Sequence, residues 1–254
     1  MRAELRQKLI AEFLQKMEFA SLAELADLTC ASISTVRRDL TVLESQGAIK
    51  RTHGGARLLN MKSDEFVFDL RLSQQKQEKE AIAKACVELI QPGQSIIIDA
   101  GTTAYCVAKL LEDKLPQIVT NSLPVANLFA SNSSVEVVLT GGVIYPRLGV
   151  LVGPLAYESI SHINADIAIM GAGGITLDGI TNSHGLVVEI QRAMIKSAHK
   201  VIMCMDHSKF GRKSISPLCK IDEIDVLITD WLAPKELIVE LEKLGLHIII
   251  AKQG

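Results

Sequence analysis

Two groups of residues in this 254-residue chain have the types and spacing to do chemistry. One is a series of short polar clusters: Asp99-Ala100-Gly101-Thr102-Thr103, Thr120-Asn121-Ser122-Leu123, Thr140-Gly141-Gly142, Gly171-Ala172-Gly173-Gly174 and Asp206-His207-Ser208-Lys209. Glycine lets a ligand approach the backbone, hydroxyls donate, and free amides at a helix start attract an anion. Lys209 can neutralise a phosphate, while Asp99, Asn121 and Asp206 can bond sugar hydroxyls. The set suits a phosphorylated polyol. Each polar group taken singly is also an ordinary cap or turn former.

The second group is basic. Ser32, Ser34, Thr35, Arg37, Arg38 and Thr41 open a helical pattern, and Lys50, Arg51, His53 and Arg57 follow it. Arginine reads guanine edges or clamps phosphates, and short hydroxylated side chains let a helix come close to a major groove. An Arg pair alone is usually a solvated helix face. Here it sits on the third helix of a helix–turn–helix spacing, with a further basic element behind it. His53 suits phosphate contact better than metal binding, since no second ligand lies at a suitable spacing.

Elements must position these groups. Apolar periodicity predicts a first helix over about Ala3–Lys16. Ser21 is placed to cap a second helix, with Glu24 as its capping-box partner. After the turn Thr29-Cys30-Ala31, Ser32 caps a third helix that runs to about Gln46 and stops at Gly47. Ile33, Val36, Leu40 and Leu43 form its buried stripe, with Arg38 opposite. The stretch AIKRTHGGAR reads as a hairpin wing. Residues 1–57 thus form a winged helix–turn–helix unit, and 58–75 a linker in which Phe66, Phe68 and Leu70 alternate like a strand or arm.

From residue 76 to 254 the pattern is α, then β and α in alternation. A helix is expected over about Gln77–Ile90. Strands follow at Ser95–Asp99, Gln117–Thr120, Val135–Thr140, Asp166–Met170, Lys200–Met205, Asp225–Thr229 and His247–Ala251. Continuous apolar runs such as SIIID mark buried, mainly parallel strands. The class is α/β, doubly wound or close to it. Ligands bind beyond the carboxyl ends of such strands, where the polar clusters fall.

Composition narrows the function further. With 48% apolar and 22% charged residues the chain is neither disordered nor fibrous. Aromatics at 4% supply few stacking platforms for single strands. The net charge is −2, but residues 1–57 carry +2 and the remainder −4, so a basic segment sits on an acidic body. Five widely spaced cysteines fit neither a disulfide framework nor a zinc site and read as reduced thiols. The charged N-terminus has no signal-peptide core, and apolar runs are too short to span a bilayer. A cytoplasmic protein without membrane association, metal or cofactor is expected.

The stretch SISTVRRDLTVLESQGAIKRTHGGA resembles the DNA-binding signature of DeoR-family bacterial transcription regulators. The segments D-x-G-T-T, T-N-S-L, G-x-G-G-I-T and D-H-S-K-F-G resemble that family's effector domain, in the same order. The resemblance covers essentially the whole chain. It implies a repressor of a sugar-utilisation operon, with double-stranded operator DNA and a phosphorylated sugar as partners. The effector domain is in turn similar to ribose-5-phosphate isomerase, where the G-T-T loop and the lysine of D-x-S-K correspond to phosphate-binding parts. The implied effector set is Asp99, Gly101, Thr102, Thr103, Asn121, Ser122, Gly141, Gly142, Gly171, Gly173, Glu189, Asp206, Ser208 and Lys209. Gln191 departs from the lysine usual in the family, and Arg192 reads as half of an exposed helical ion pair.

Two other readings remain. A sugar-phosphate isomerase fused to a DNA-binding module needs a positioned base. Gly171 to Gly174 stand where the related isomerase has acids, and Glu189 alone lacks supporting carboxylates, so no catalytic residue is assigned. A ligand-free architectural DNA-binding protein leaves the glycine-lined strand ends without a purpose. Operator binding also implies a homo-oligomer, a dimer or higher, because half-sites gain by avidity. Family resemblance favours release of the repressor by its effector.

Overall fold

The computed structural model describes residues 3–17, 19–45, 49–52, 54–58, 68–146 and 148–253. The chain divides into two compact units, Met1–Leu70 and Arg71–Gly254.

In the first unit, α1 (Ala3–Met17), α2 (Leu22–Thr29) and α3 (Ile33–Ser45) surround a core of Ile10, Leu14, Leu25, Val36, Leu40 and Leu43. Three short strands, β1 (Phe19–Ser21), β2 (Ile49–Thr52) and β3 (Gly55–Leu58), form an antiparallel sheet in the order β1-β3-β2. The wing is the β2–β3 hairpin. Gly55 is required where β3 crosses β1, because a Cβ there would lie 2.1 Å from the Ala20 carbonyl oxygen. The Ser21 hydroxyl accepts from the Glu24 amide at 3.2 Å, and the Glu24 carboxylate accepts from the Ser21 amide at 2.8 Å. That reciprocal pair starts α2 as expected. Cys30 turns the chain in the left-handed region at φ 49°. The end expected for α3 at Gly47 lies outside the described residues.

One detail departs from expectation. Ile33 is 47% exposed, since the first turn of α3 precedes the side chains that meet the core. Asp39 on the same helix is 3% exposed. Its carboxylate accepts from Arg6 Nη2 and Gln7 Nε2, each at 3.1 Å, and so ties α3 to α1.

Phe68–Ser73 is helical (α4), not a strand or arm; Phe66 lies outside the described residues. Leu58 closes β3, so the described ends of the segment expected as linker are ordered elements. In the second unit, α5 (Lys76–Val87) leads into β4 (Ser95–Ile98), α6 (Thr102–Ala108), β5 (Gln117–Thr120), α7 (Leu123–Phe129) and β6 (Glu136–Leu139). A hairpin of β7 (Val143–Tyr145) and β8 (Val150–Val152) precedes α8 (Pro154–Ser161) and β9 (Ala165–Met170). Then come β10 (Gly174–Thr176), β11 (Gly179–Asn182), α9 (Gly185–Lys196), β12 (Ala198–Cys204), β13 (Ser216–Cys219), β14 (Val226–Thr229), α10 (Lys235–Lys243) and β15 (His247–Ile250).

Seven strands form one parallel sheet in the order β15-β14-β12-β9-β4-β5-β6. They are the seven read from the apolar runs. Ile96 and Ile98 bury on one face with α5, α6 and α7, while Ile97 buries on the other with α8, α9 and α10. Both faces of the inner strands are covered, which is why those strands carry continuous apolar runs instead of alternation; the edge strand β6 leaves Val138 and Leu139 exposed. β10, β11 and β13 make a separate antiparallel sheet. From β4 the chain winds first toward β6, then returns at β9 and winds the other way. The crevice between the ends of β4 and β9 is therefore the topological switch point, where ligands bind in such sheets.

Candidate functional site

The basic face of the first unit is built on α3. Ser32 is its cap, its hydroxyl accepting from the Thr35 amide at 3.3 Å. Ser34, Arg37, Arg38 and Thr41 are exposed, and Thr35 is half-buried. Lys50 is exposed on β2. Arg51 is also exposed but tied down: its Nε donates to Glu44 at 2.7 Å, its amide to Glu44 at 2.9 Å, and its Nη1 to Thr41 Oγ1 at 2.9 Å. Those bonds hold the Glu44 carboxyl below the usual carboxylate range. The wing is thereby fixed to the exposed face of α3. His53 and the Arg57 side chain lie outside the described residues.

At the switch point of the second unit, a small pocket of about 30 Å³ opens at the ends of β4, β9 and β12. Gly101, Thr102, Thr103, Gly171, Asp206 and Lys209 line it, six of the residues expected from sequence. Thr102 and Thr103 begin α6, and Lys209 ends a 3₁₀ turn capped by Asp206. Arg71, Gln74, Gln75 and Lys79 close the remaining side. Sequence reading misses these four. Lys79 is 4% exposed, and its ammonium donates to the carbonyls of Arg71 and Gln74. Burial brings it down to about 8, against the supporting charge of Asp206.

Asp99 lies just below the pocket at 3% exposure. Its Oδ2 accepts from Gln191 Nε2 at 2.9 Å and the Gly171 amide at 3.3 Å, and burial pushes its carboxyl upward. Gln191 also donates to the Gly171 carbonyl at 2.8 Å and accepts from Asn182 Nδ2 at 2.8 Å. A neutral amide thus organises the inner wall. Asp99 Oδ1, Asn121 Oδ1 and Asp206 Oδ2 are buried and accept no hydrogen bond among the described residues. A buried acceptor left so costs about 1–3 kcal/mol, which a donating ligand group offsets.

Other expected residues have local roles. Ser122 caps α7, its hydroxyl accepting from the Val125 amide at 3.3 Å. Asn121 Nδ2 donates to the Leu151 carbonyl at 3.0 Å. Ser208 donates to Asp206. Gly142 turns into the β7–β8 hairpin at φ 129°, with Gly141 exposed beside it. Gly173 starts the β10–β11 hairpin, its amide donating to the Thr181 carbonyl at 2.9 Å. Glu189 is exposed on α9, in a separate groove with Pro154, Tyr157, His162 and Leu186. It does not join the strand-end pocket, because its side of α9 faces away from the sheet. Arg192 makes no helical ion pair in the described structure. It donates instead to the carbonyls of Leu218 and Pro217 at 3.0 and 2.7 Å.

Among the described residues, no cluster of three or more His, Cys, Asp or Glu could hold a metal ion. No described helix is long and apolar enough to cross a membrane. A winged helix–turn–helix with an arginine-bearing third helix, and a parallel α/β unit with a cationic strand-end pocket, define a DNA-binding regulator that carries a sensor module.

The sequence matches the DeoR-like helix-turn-helix domain over residues 6–62 and the DeoR C terminal sensor domain over residues 74–231. The chain belongs to the DeoR family of transcriptional regulators. It is 35% identical to the HTH-type transcriptional regulator GolR of Listeria innocua, over 97% of this chain and 98% of that protein. It is also 35% identical to the glycerol-3-phosphate regulon repressor of Escherichia coli, over 87% of this chain and 88% of that one. Among solved structures, ribose 5-phosphate isomerase A of Methanocaldococcus jannaschii aligns with a TM-score of 0.39 and 18% identity over 56% of each chain. So remote a likeness bears on neither activity nor ligand.

Proposed function

We propose that this regulator is a cytoplasmic homo-oligomeric repressor of a sugar-utilisation operon, released from its operator by a phosphorylated sugar bound at the ends of β4, β9 and β12. The observation that carries this reading is the convergence of Gly101, Thr102, Thr103, Asp206 and Lys209 on one pocket, although they are over a hundred residues apart in sequence. Lys209 and the threonine hydroxyls suit the phosphate. The buried acceptor oxygens of Asp99, Asn121 and Asp206 suit sugar hydroxyls. On the first unit, Arg38 and the short hydroxylated residues of α3 read the major groove, and Lys50 rests on the backbone.

The chain binds its sugar without transforming it. Glu189 is the one acid that sequence offered as an isomerase base, and it lies in another groove. A thermal-shift screen of phosphorylated sugars on the full chain tests the site. A ligand at 100 times its dissociation constant should stabilise by about 2.7 kcal/mol and lower operator affinity. If no phosphorylated sugar raises the melting temperature, the pocket is misassigned. Turnover of ribose 5-phosphate that is lost in Glu189→Gln would promote the enzyme reading.

A further inference from the structure

We propose that Lys79 transmits effector binding to the segment joining the two units: an entering phosphate draws its ammonium from the carbonyls of Arg71 and Gln74 and loosens the end of α4. This rests on the strand-end pocket being the phosphate site.

Three observations carry it. Lys79 faces the same small pocket as Thr102, Thr103 and Lys209, and at the same time donates to Arg71 and Gln74. The pocket is small, about 30 Å³, and Lys79 lines it beside Arg71, Gln74 and Gln75, so an anion entering it meets the Lys79 ammonium. On one side the walls are strand ends and the start of α6, packed into the sheet; on the other they are Lys79 and residues 71–75. Finally, Gln75 sits between α4 and α5 in the left-handed region, at φ 44° and ψ 45°, a conformation that a non-glycine residue holds only under constraint. Lys79 supplies constraint from below, since its backbone amide donates to the Gln75 carbonyl at 3.0 Å and its ammonium holds the preceding carbonyl.

The competition favours the ligand. A phosphate oxygen is a charged acceptor, and charge-assisted hydrogen bonds are about twice as strong as those to neutral carbonyls. Burial has already made the Lys79 charge costly, and a dianion relieves that cost more fully than two carbonyl dipoles do. Once its ammonium turns to the phosphate, the carbonyls of Arg71 and Gln74 lose their shared donor. Leu70 and Arg71 are also where one unit passes into the other along the chain, so a change at the Arg71 carbonyl falls on the joining segment.

Hydrogen exchange on the full chain tests this, read on the peptide spanning 68–79, with inorganic phosphate, glycerol 3-phosphate and glucose 6-phosphate as probes. Thermal shift on the same samples reports binding independently. A probe that stabilises the protein should speed exchange across 70–76 by about threefold or more, the reverse of the protection that a ligand gives to a wall it merely covers. In Lys79→Gln the segment should exchange fast from the start, with no further gain on binding. In Lys209→Ala, weaker binding should remove the gain while the ligand-free rate stays as in wild type. Should Lys79→Gln fail to fold, the wild-type and Lys209→Ala arms still decide. Stabilisation with slowed or unchanged exchange at 70–76 overturns the proposal and leaves the phosphate site standing. Absence of stabilisation by every probe and every phosphorylated sugar removes both.

Discussion

Gln191→Glu changes one atom in the inner wall and should turn a silent position into a pH-dependent fault. In the native chain Gln191 Nε2 lies 2.9 Å from Asp99 Oδ2, and both side chains are essentially buried. The substitution places a carboxyl oxygen where that donor stood. If both acids were ionised, repulsion at about 3–4 Å would cost roughly 4–6 kcal/mol at an effective dielectric near 20. Holding one proton on the pair is cheaper. Keeping a group of solution pKa about 4.3 neutral at pH 7 costs roughly 3–4 kcal/mol, at about 1.4 kcal/mol per pH unit. One of the contacts to Asp99 and the Gly171 carbonyl stays unmade, adding about 1 kcal/mol at every pH. The pair's pKa is raised in the folded state, so its protonated form is stabilising at low pH and that stability is lost as pH rises. Urea unfolding of wild type and variant at about pH 5 and pH 7 measures the difference. The deficit should widen by roughly 2–3 kcal/mol between those values. An equal deficit at both, or none at pH 7, would show that Gln191 does not pair with Asp99.

On the DNA side, Arg38→Ala should weaken operator binding by about 1–3 kcal/mol with little effect on random DNA, by anisotropy titration. Lys50→Ala should weaken both alike and reduce the salt slope by about one; equal losses in the two variants would undo the docking on α3. Lys209→Ala should weaken effector binding about tenfold to a hundredfold, and Thr102→Val less, with operator binding in the absence of effector near wild type. Loss of operator binding in Lys209→Ala would make that residue structural. Lys79 titrates near 8 in the ligand-free chain, among Asp206, which supports its charge, Arg71 and Lys209, which oppose it, and Cys106, whose thiol burial raises. Phosphate needs the charged form, so affinity should fall by up to about tenfold per pH unit above 8, and Lys79→Gln should abolish that slope.

The middle of the sheet is legible in the sequence because its inner strands are buried on both faces, so Ile96–Ile98 or Val226–Ile228 can be nothing but apolar. The short strands β10, β11 and β13 mix polar with apolar residues, and β13 joins β11 only through tertiary context, as between Pro217 and Thr181, while β7 and β8 are apolar but only three residues long. Pocket residues on strand ends are readable because topology places every such end on one edge. Lys79 and Gln191 lie elsewhere, on helices. Their signal is a polar residue on an apolar stripe: Lys79 with Ile82, Ala83 and Cys86, and Gln191 with Val187, Val188 and Met194. The same periodicity, applied to Glu189, puts it off the stripe and out of the site. Ile33 shows the opposite failure, since an apolar residue in a first turn has nothing above it to meet.

The bond between Arg51 and Glu44 bears on how such a protein finds its operator on a chromosome. Random DNA is held almost entirely by cations that displace counterions, and an arginine already neutralised by an acid displaces few. The base contact proposed for Arg38 does not involve that pairing. On the proposed docking, Glu44 should therefore lower affinity for the genome's roughly 10⁶–10⁹ competing sites more than for the operator, and the ratio of the two, rather than either alone, decides occupancy. With Glu44→Gln the wing would grip DNA harder everywhere, and the repressor would spend more of its time in the wrong place.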